Sequence, residues 1–169
     1  MLEHCPQFVP QEVCLSCDGC CRFKDSQSPW RPKLAEEEKR GGLAQKIFTA
    51  ATFDTGNYLK TVEERHVCRC QFFNLQKNTC GIYPHRPFEC RLYPFVLHKS
   101  DGKIVMSVHL NCPHVQETDG TEPFKRFVDG ELRRFFQEAS ILEFLKRNPA
   151  YAGQYPEFKY ELKYLFTVC

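Results

Sequence analysis

Residues 14 to 21 read Cys-Leu-Ser-Cys-Asp-Gly-Cys-Cys, four thiols in eight positions. Two residues separate Cys14 from Cys17 and Cys17 from Cys20, so one tight turn can aim three sulfurs at one small volume. Thiolates grouped in this way are soft ligands that select zinc, copper(I) or iron–sulfur clusters over magnesium or calcium. Cys21 stands apart. Adjacent side chains diverge in extended or turn backbone, so Cys20 and Cys21 are not expected to share one mononuclear metal. Either Cys21 serves a second site, or both bind a multinuclear centre. The chain reads first as a metalloprotein.

Its length of 169 residues predicts a single domain, residues 1–169, able to bury a core without metal or disulfide staples. The 11 cysteines therefore point to chemistry or to a specific site. The odd count disfavours a closed disulfide framework. The first residues lack the basic start and apolar stretch of a secretory leader, and no segment approaches the roughly 18 apolar residues of a membrane span. A reducing cytoplasmic compartment is the expectation, and there clustered thiols are more often ligands than disulfides. A net charge of +2 without a basic run gives no case for a nucleic-acid partner. Ionised thiols would add negative charge, which Arg22, Arg69, Arg86 and Arg91, beside or near cysteines, can offset through charge-assisted hydrogen bonds.

The pattern predicts an α+β fold: a small Cys-rich core of short strands and turns over residues 14–113, then a helical extension with a closing strand over residues 121–169. Residues 1–13 read as irregular. A charged helix starts near Leu34 and is interrupted or ended by Gly41-Gly42. Tyr58–Val62 and Cys68–Phe73 read as strands, and one helical turn fits Arg86–Arg91. Ser100-Asp101-Gly102 marks a hairpin between Tyr93–His98 and Lys103–Leu110. Phe124, Phe127, Val128, Leu132, Phe135 and Phe136 follow helical spacing, weakened slightly by Gly130. Ile141 to Leu145 starts a second helix. Phe158 to Phe166 alternates like a strand with one buried face.

Nine residues separate Cys70 from Cys80 and Cys80 from Cys90, and Cys112 follows the hairpin. Only the fold can bring such thiols together. A hairpin between Cys70 and Cys80 would place those two close. Zinc in structural sites takes four tetrahedral ligands, often from paired Cys-x2-Cys knuckles, whereas this chain has one dense run and then isolated thiols. A cubane spreads its ligands over four corners and suits a run plus a remote cysteine better. Guanidinium donors at Arg86 and Arg91 would lower thiolate basicity and raise the potential of a cluster. Tyr83 and Tyr93 either donate to sulfur or pack as hairpin aromatics.

These motifs resemble the YkgJ-type cysteine-cluster family. The matching residues are the run Cys14 to Cys21, then Cys70 with Phe72-Phe73, then Cys80-x-Ile82-Tyr83-x2-Arg86-Pro87-x2-Cys90-Arg91-x-Tyr93-Pro94. Proteins of that family are described as zinc- or iron-chelating and carry a CxxCxxCC signature. The resemblance implies eight ligands: Cys14, Cys17, Cys20, Cys21, Cys70, Cys80, Cys90 and Cys112. It leaves Cys5, Cys68 and Cys169 as extras, of which Cys68 could compete with Cys70.

Three functions follow. The first is an iron–sulfur protein, expected to hold a 4Fe–4S cluster at one or two sites, with a redox or electron-transfer role and a protein partner. The second is a structural zinc module for protein interaction. The third is a cluster-dependent enzyme like the flagellin lysine methylases among the relatives, although no glycine-rich fingerprint for a methyl-donor nucleotide is present. Oligomeric state is not encoded in any motif.

Overall fold

In the computed structural model, every residue but Met1, Asp18 and Arg65 is described, together with all their side chains except that of Pro156. The chain is α+β and divides into two compact units, Pro10–Cys90 and Met1–Val9 with Arg91–Cys169.

In the Pro10–Cys90 unit, prolines, glycines and asparagines keep the elements short. Pro10 stands just before helix α1 (Gln11–Ser16), its φ of −56° already set for a helix entry. The irregular reading of residues 1–13 is thus corrected at both ends, since Leu2–His4 also forms a 3-10 turn. Helix α2 (Glu36–Ala44) runs straight through Gly41-Gly42, which neither interrupt nor end it. The reason is packing: a Cβ on Gly42 would lie 2.0 Å from the Phe48 ring, so glycine here admits an aromatic side chain. The turn that stops the helix comes at Lys46, in left-handed backbone (φ 58°).

Strands β1 (Arg22–Phe23), β2 (Thr61–Glu64) and β3 (Val67–Cys70) form an antiparallel sheet in the order β1-β3-β2. The strand expected at Tyr58–Val62 starts later, because Tyr58 and Leu59 make only single bridges to Lys33 and Phe53. The strand expected at Cys68–Phe73 breaks after Cys70. Phe73 opens a separate hairpin of β4 (Phe73–Asn74) and β5 (Thr79–Cys80), turned at Asn78 with φ 50°. Phe23, Leu34, Phe48, Leu59, Cys68, Cys70 and Phe73 make the buried core. Helix α3 (Phe88–Leu92) begins after Pro87 and carries Cys90.

The other unit rests on an antiparallel sheet of β6 (Phe95–Ser100), β7 (Lys103–His109) and β8 (Leu162–Thr167). Asp101 (φ 50°) and Gly102 (φ 77°) form the turn that their sequence signals. Helix α4 (Pro113–Thr118) follows. Then α5 (Glu122–Arg126), a π-helical segment (Phe127–Leu132) and α6 (Arg133–Gln137) carry the expected aromatic stripe inward. Helix α7 (Ala139–Arg147) buries Ile141, Phe144 and Leu145. The closing strand is shorter than its alternation suggests: Phe158 lies in a 3-10 turn, and Tyr160 and Tyr164 are exposed while Phe166 is buried. Phe8 inserts its ring among Phe95, His114, Phe124 and Phe127, with centroids 5.1–5.9 Å away. That contact ties the first residues into this unit. No helix among the described residues is long and apolar enough to cross a membrane.

Candidate metal centre

The dense cysteine run is not one turn but a helix end followed by a 3-10 turn. Cys14 lies in the last turn of α1, and Cys17 closes that helix, its N–H donating to the Cys14 carbonyl at 3.4 Å. The Gly19 N–H donates to Cys17 Sγ at 3.5 Å. Cys20 and Cys21 occupy the 3-10 turn Gly19–Cys21. Two short helical pieces replace the single turn expected from spacing.

The thiols at 70, 80 and 90 come from three elements: the end of β3, strand β5 and helix α3. The hairpin does bring Cys70 and Cys80 into electrostatic range, as its sequence suggests. The Cys80 and Cys20 thiols both disfavour ionisation of Cys70, whose pKa burial pushes up to about 11. Burial raises Cys90 well above the ordinary thiol value, and Cys70, Cys20 and Cys80 raise it further. Cys21 is raised by its hydrogen bond to Cys20, then by burial, then by the charges of Cys20, Cys70 and Cys90. Cys14 and Cys80 are raised by burial and by Cys20. Six thiols therefore form one mutually repelling group when ionised. Cys17 lies between Cys14 and Cys20 in the chain.

Two cations answer that group: Arg69 lowers the pKa of Cys70, and Arg86 acts on three other thiols. Arg86 is only 6% exposed, and its Nη1 donates to Cys14 Sγ at 3.3 Å. Its guanidinium lies 3.5 Å from the Tyr83 ring centroid, and its Nε donates to the Tyr83 carbonyl at 3.1 Å. The plane is thereby fixed before any ligand arrives. The Arg86 charge lowers the pKa of Cys14, Cys80 and Cys90 against the stronger effect of burial. The Tyr83 hydroxyl is buried without a partner at full hydrogen-bond geometry. Its proximity lowers the pKa of Cys14, while its ring packs against Arg86. Tyr93 belongs to the other unit, where its hydroxyl meets His109 Nδ1 at 3.0 Å.

Two carboxylates that the sequence reading passed over hold the Cys90 helix. Glu38 Oε1 accepts from the Phe88 N–H at 2.6 Å, at the first turn of α3. Its Oε2 accepts from the Ala35 N–H at 3.1 Å. Glu89 Oε2 accepts from the Lys33 N–H at 2.7 Å. Both ends of this link satisfy backbone donors that would otherwise be orphaned. The signal available in sequence was Ala35-x2-Glu38, half of a capping box. Glu89 offered none.

Of the remaining cysteines, Cys68 sits in the apolar core opposite Phe23, and among the described residues it joins none of these thiol interactions. Cys112 is buried in the other unit, just before α4. Cys5 also lies there, its pKa pushed up to about 12 by burial and lowered in part by Arg91. Cys169 is exposed.

Among the described residues, no three His, Cys, Asp or Glu side chains are already arranged to close around a metal ion. The donor chemistry nevertheless fits one. Burial and crowding raise the pKa of Cys14, Cys21, Cys70, Cys80 and Cys90, and a multivalent cation would displace their protons by relieving the repulsion among sulfurs. Among the described residues, no carboxylate or imidazole interacts with these thiols, so soft metals are the match.

The CxxCxxCC family model, described as "Putative zinc- or iron-chelating domain", matches residues 13–120. No curated protein and no solved structure matches the chain. That match spans both cysteine motifs and the hairpin after them, and the chain belongs to the CxxCxxCC family of zinc- or iron-chelating domains.

Proposed function

We propose that the Pro10–Cys90 unit is the metal-holding part of an iron–sulfur protein that exchanges electrons with a protein partner. The observation that supports this reading is the group of six mutually repelling thiols at 14, 20, 21, 70, 80 and 90, joined by Cys17. Seven sulfurs without a histidine exceed what one tetrahedral zinc takes. The adjacent pair Cys20-Cys21 suits a multinuclear centre, whose corners accept diverging ligands. When bound, such a cluster supplies one-electron redox chemistry.

The chain contributes the rest. Helix α1 and the 3-10 turn present the first motif, and the Glu38 and Glu89 bonds fix the helix that presents Cys90. Arg86, stacked on Tyr83, holds positive charge against the Cys14 sulfur, which lowers its basicity and favours the reduced form of a bound redox centre. Cys112, in the other unit, is not needed for this reading.

Anaerobic purification followed by a visible spectrum and iron, sulfide and zinc analysis on one sample tests it. Iron and acid-labile sulfide in equal amounts are expected, with loss of both in Cys17→Ser. A colourless protein with one or two zinc ions per chain would instead identify the structural zinc module.

A further inference from the structure

The two faces of the β6-β7-β8 sheet differ in chemistry. Register places Leu97 opposite Met106 and Met106 opposite Phe166, so one face is apolar at its centre. The other face carries His98, Ser107 and Tyr164, with Ser107 directly opposite Tyr164. Ser107 is 1% exposed, a degree of burial at which a strand with both faces covered ordinarily carries Val or Ile. Its Oγ lies 2.8 Å from His98 Nε2. Burial lowers the pKa of the His98 ring, against a backbone contact with Lys99. A polar pair with one buried member, satisfied in this way, costs little, but it gains nothing over an apolar pair unless something uses it.

Something has room to. Above the pair is a cavity of about 370 Å³, lined also by Tyr155, Lys159 and Tyr164. Its wall is built on purpose-shaped backbone. The segment around Gly153 pairs with the β6 edge, the Lys99 N–H donating to the Gly153 carbonyl at 3.0 Å. A Cβ on Gly153 would lie 2.8 Å from the Tyr155 ring, so only glycine lets that ring fold back to close the cavity. No Asp or Glu is among the described residues that line it, and Lys159 forms no ion pair among the described residues. The volume falls in the range of small-molecule pockets.

We propose that this cavity binds a small organic oxyanion with a flat ring, the ring against Tyr155 and Tyr164, the anionic group at Lys159, and the His98–Ser107 pair fixing its orientation. The site lies wholly within the unit that carries β6, β7 and β8, and it does not depend on the metal proposed above.

Calorimetric titration of the full chain with phenyl phosphate tests this, with benzylamine as the cationic control. One saturable site per chain is expected for phenyl phosphate and none for benzylamine. Lys159→Gln, a surface change that leaves the fold intact, should weaken binding by about tenfold, the effect of one charge-assisted contact. Gly153→Ala should weaken it as well by displacing the Tyr155 wall. Absence of a saturable site, equal binding of benzylamine, or unchanged affinity in Lys159→Gln overturns the proposal.

Discussion

The Pro10–Cys90 unit and the unit built from Met1–Val9 with Arg91–Cys169 fill their interiors by different means. The first joins two small antiparallel sheets, none of whose strands exceeds four residues, and mixes aromatic rings with Cys21, Cys68 and Cys70. The second stacks six- and seven-residue strands against helices that bury Phe124, Phe136, Ile141 and Phe144. Dispersion and apolar burial suffice for the second. The first contains thiols that burial and mutual repulsion disfavour as thiolates. On the function proposed above, the interior of the first unit depends on metal and that of the second does not.

Metal removal is the strongest way to break that comparison. Because ligand binding is coupled to folding of a thiolate site, a chelator should remove on the order of 10 kcal/mol from the Pro10–Cys90 unit. Hydrogen exchange read by mass spectrometry should show its amides opening while those of β6 and β7 stay protected. Equal opening in both units would erase the distinction. Phe136→Ala attacks from the other side. The ring is 1% exposed, and its loss should cost about 3–5 kcal/mol in denaturant unfolding with metal content unchanged.

Gly42→Ala is smaller and sits in the metal-bearing unit. The added methyl meets the Phe48 ring, and overpacking of this kind costs about 1–3 kcal/mol. Its thermal midpoint should fall although alanine is the better helix former. A rise would show that the close packing of Gly42 is not what holds glycine there. The smallest effect is a pH dependence. Burial pushes the Glu89 carboxyl up from 4.5 to about 7, opposed by its Lys33 contacts and reinforced by Glu38. A raised carboxyl contributes stability in full below pH 4.5 and loses it as pH rises through about 7. The side chain is only half-buried, so the loss should be about 1 kcal/mol after screening. Metal-free protein should lose stability across that window, and Glu89→Gln should flatten the curve.

Local chemistry was legible in the sequence by itself. The thiol motifs, the Asp101-Gly102 turn and the aromatic stripe from Phe124 to Phe136 each depend on residues within one or two turns of one another, where spacing fixes geometry. The same local rules misplaced α2, because a glycine pair signals a stop only if nothing packs on it, and Phe48 does. They also could not place Arg86 on Cys14, Glu38 on Phe88 or Glu89 on Lys33, which are 72, 50 and 56 residues apart. Nor could they put Ser107 and His98 beneath a cavity closed by Tyr155, a wall that exists only because the Gly153 segment returns to the β6 edge. The sequence by itself determined which atoms are available to hold a metal. The tertiary structure decided which of them meet, because burial, repulsion and long-range hydrogen bonds depend on distances that no local spacing records.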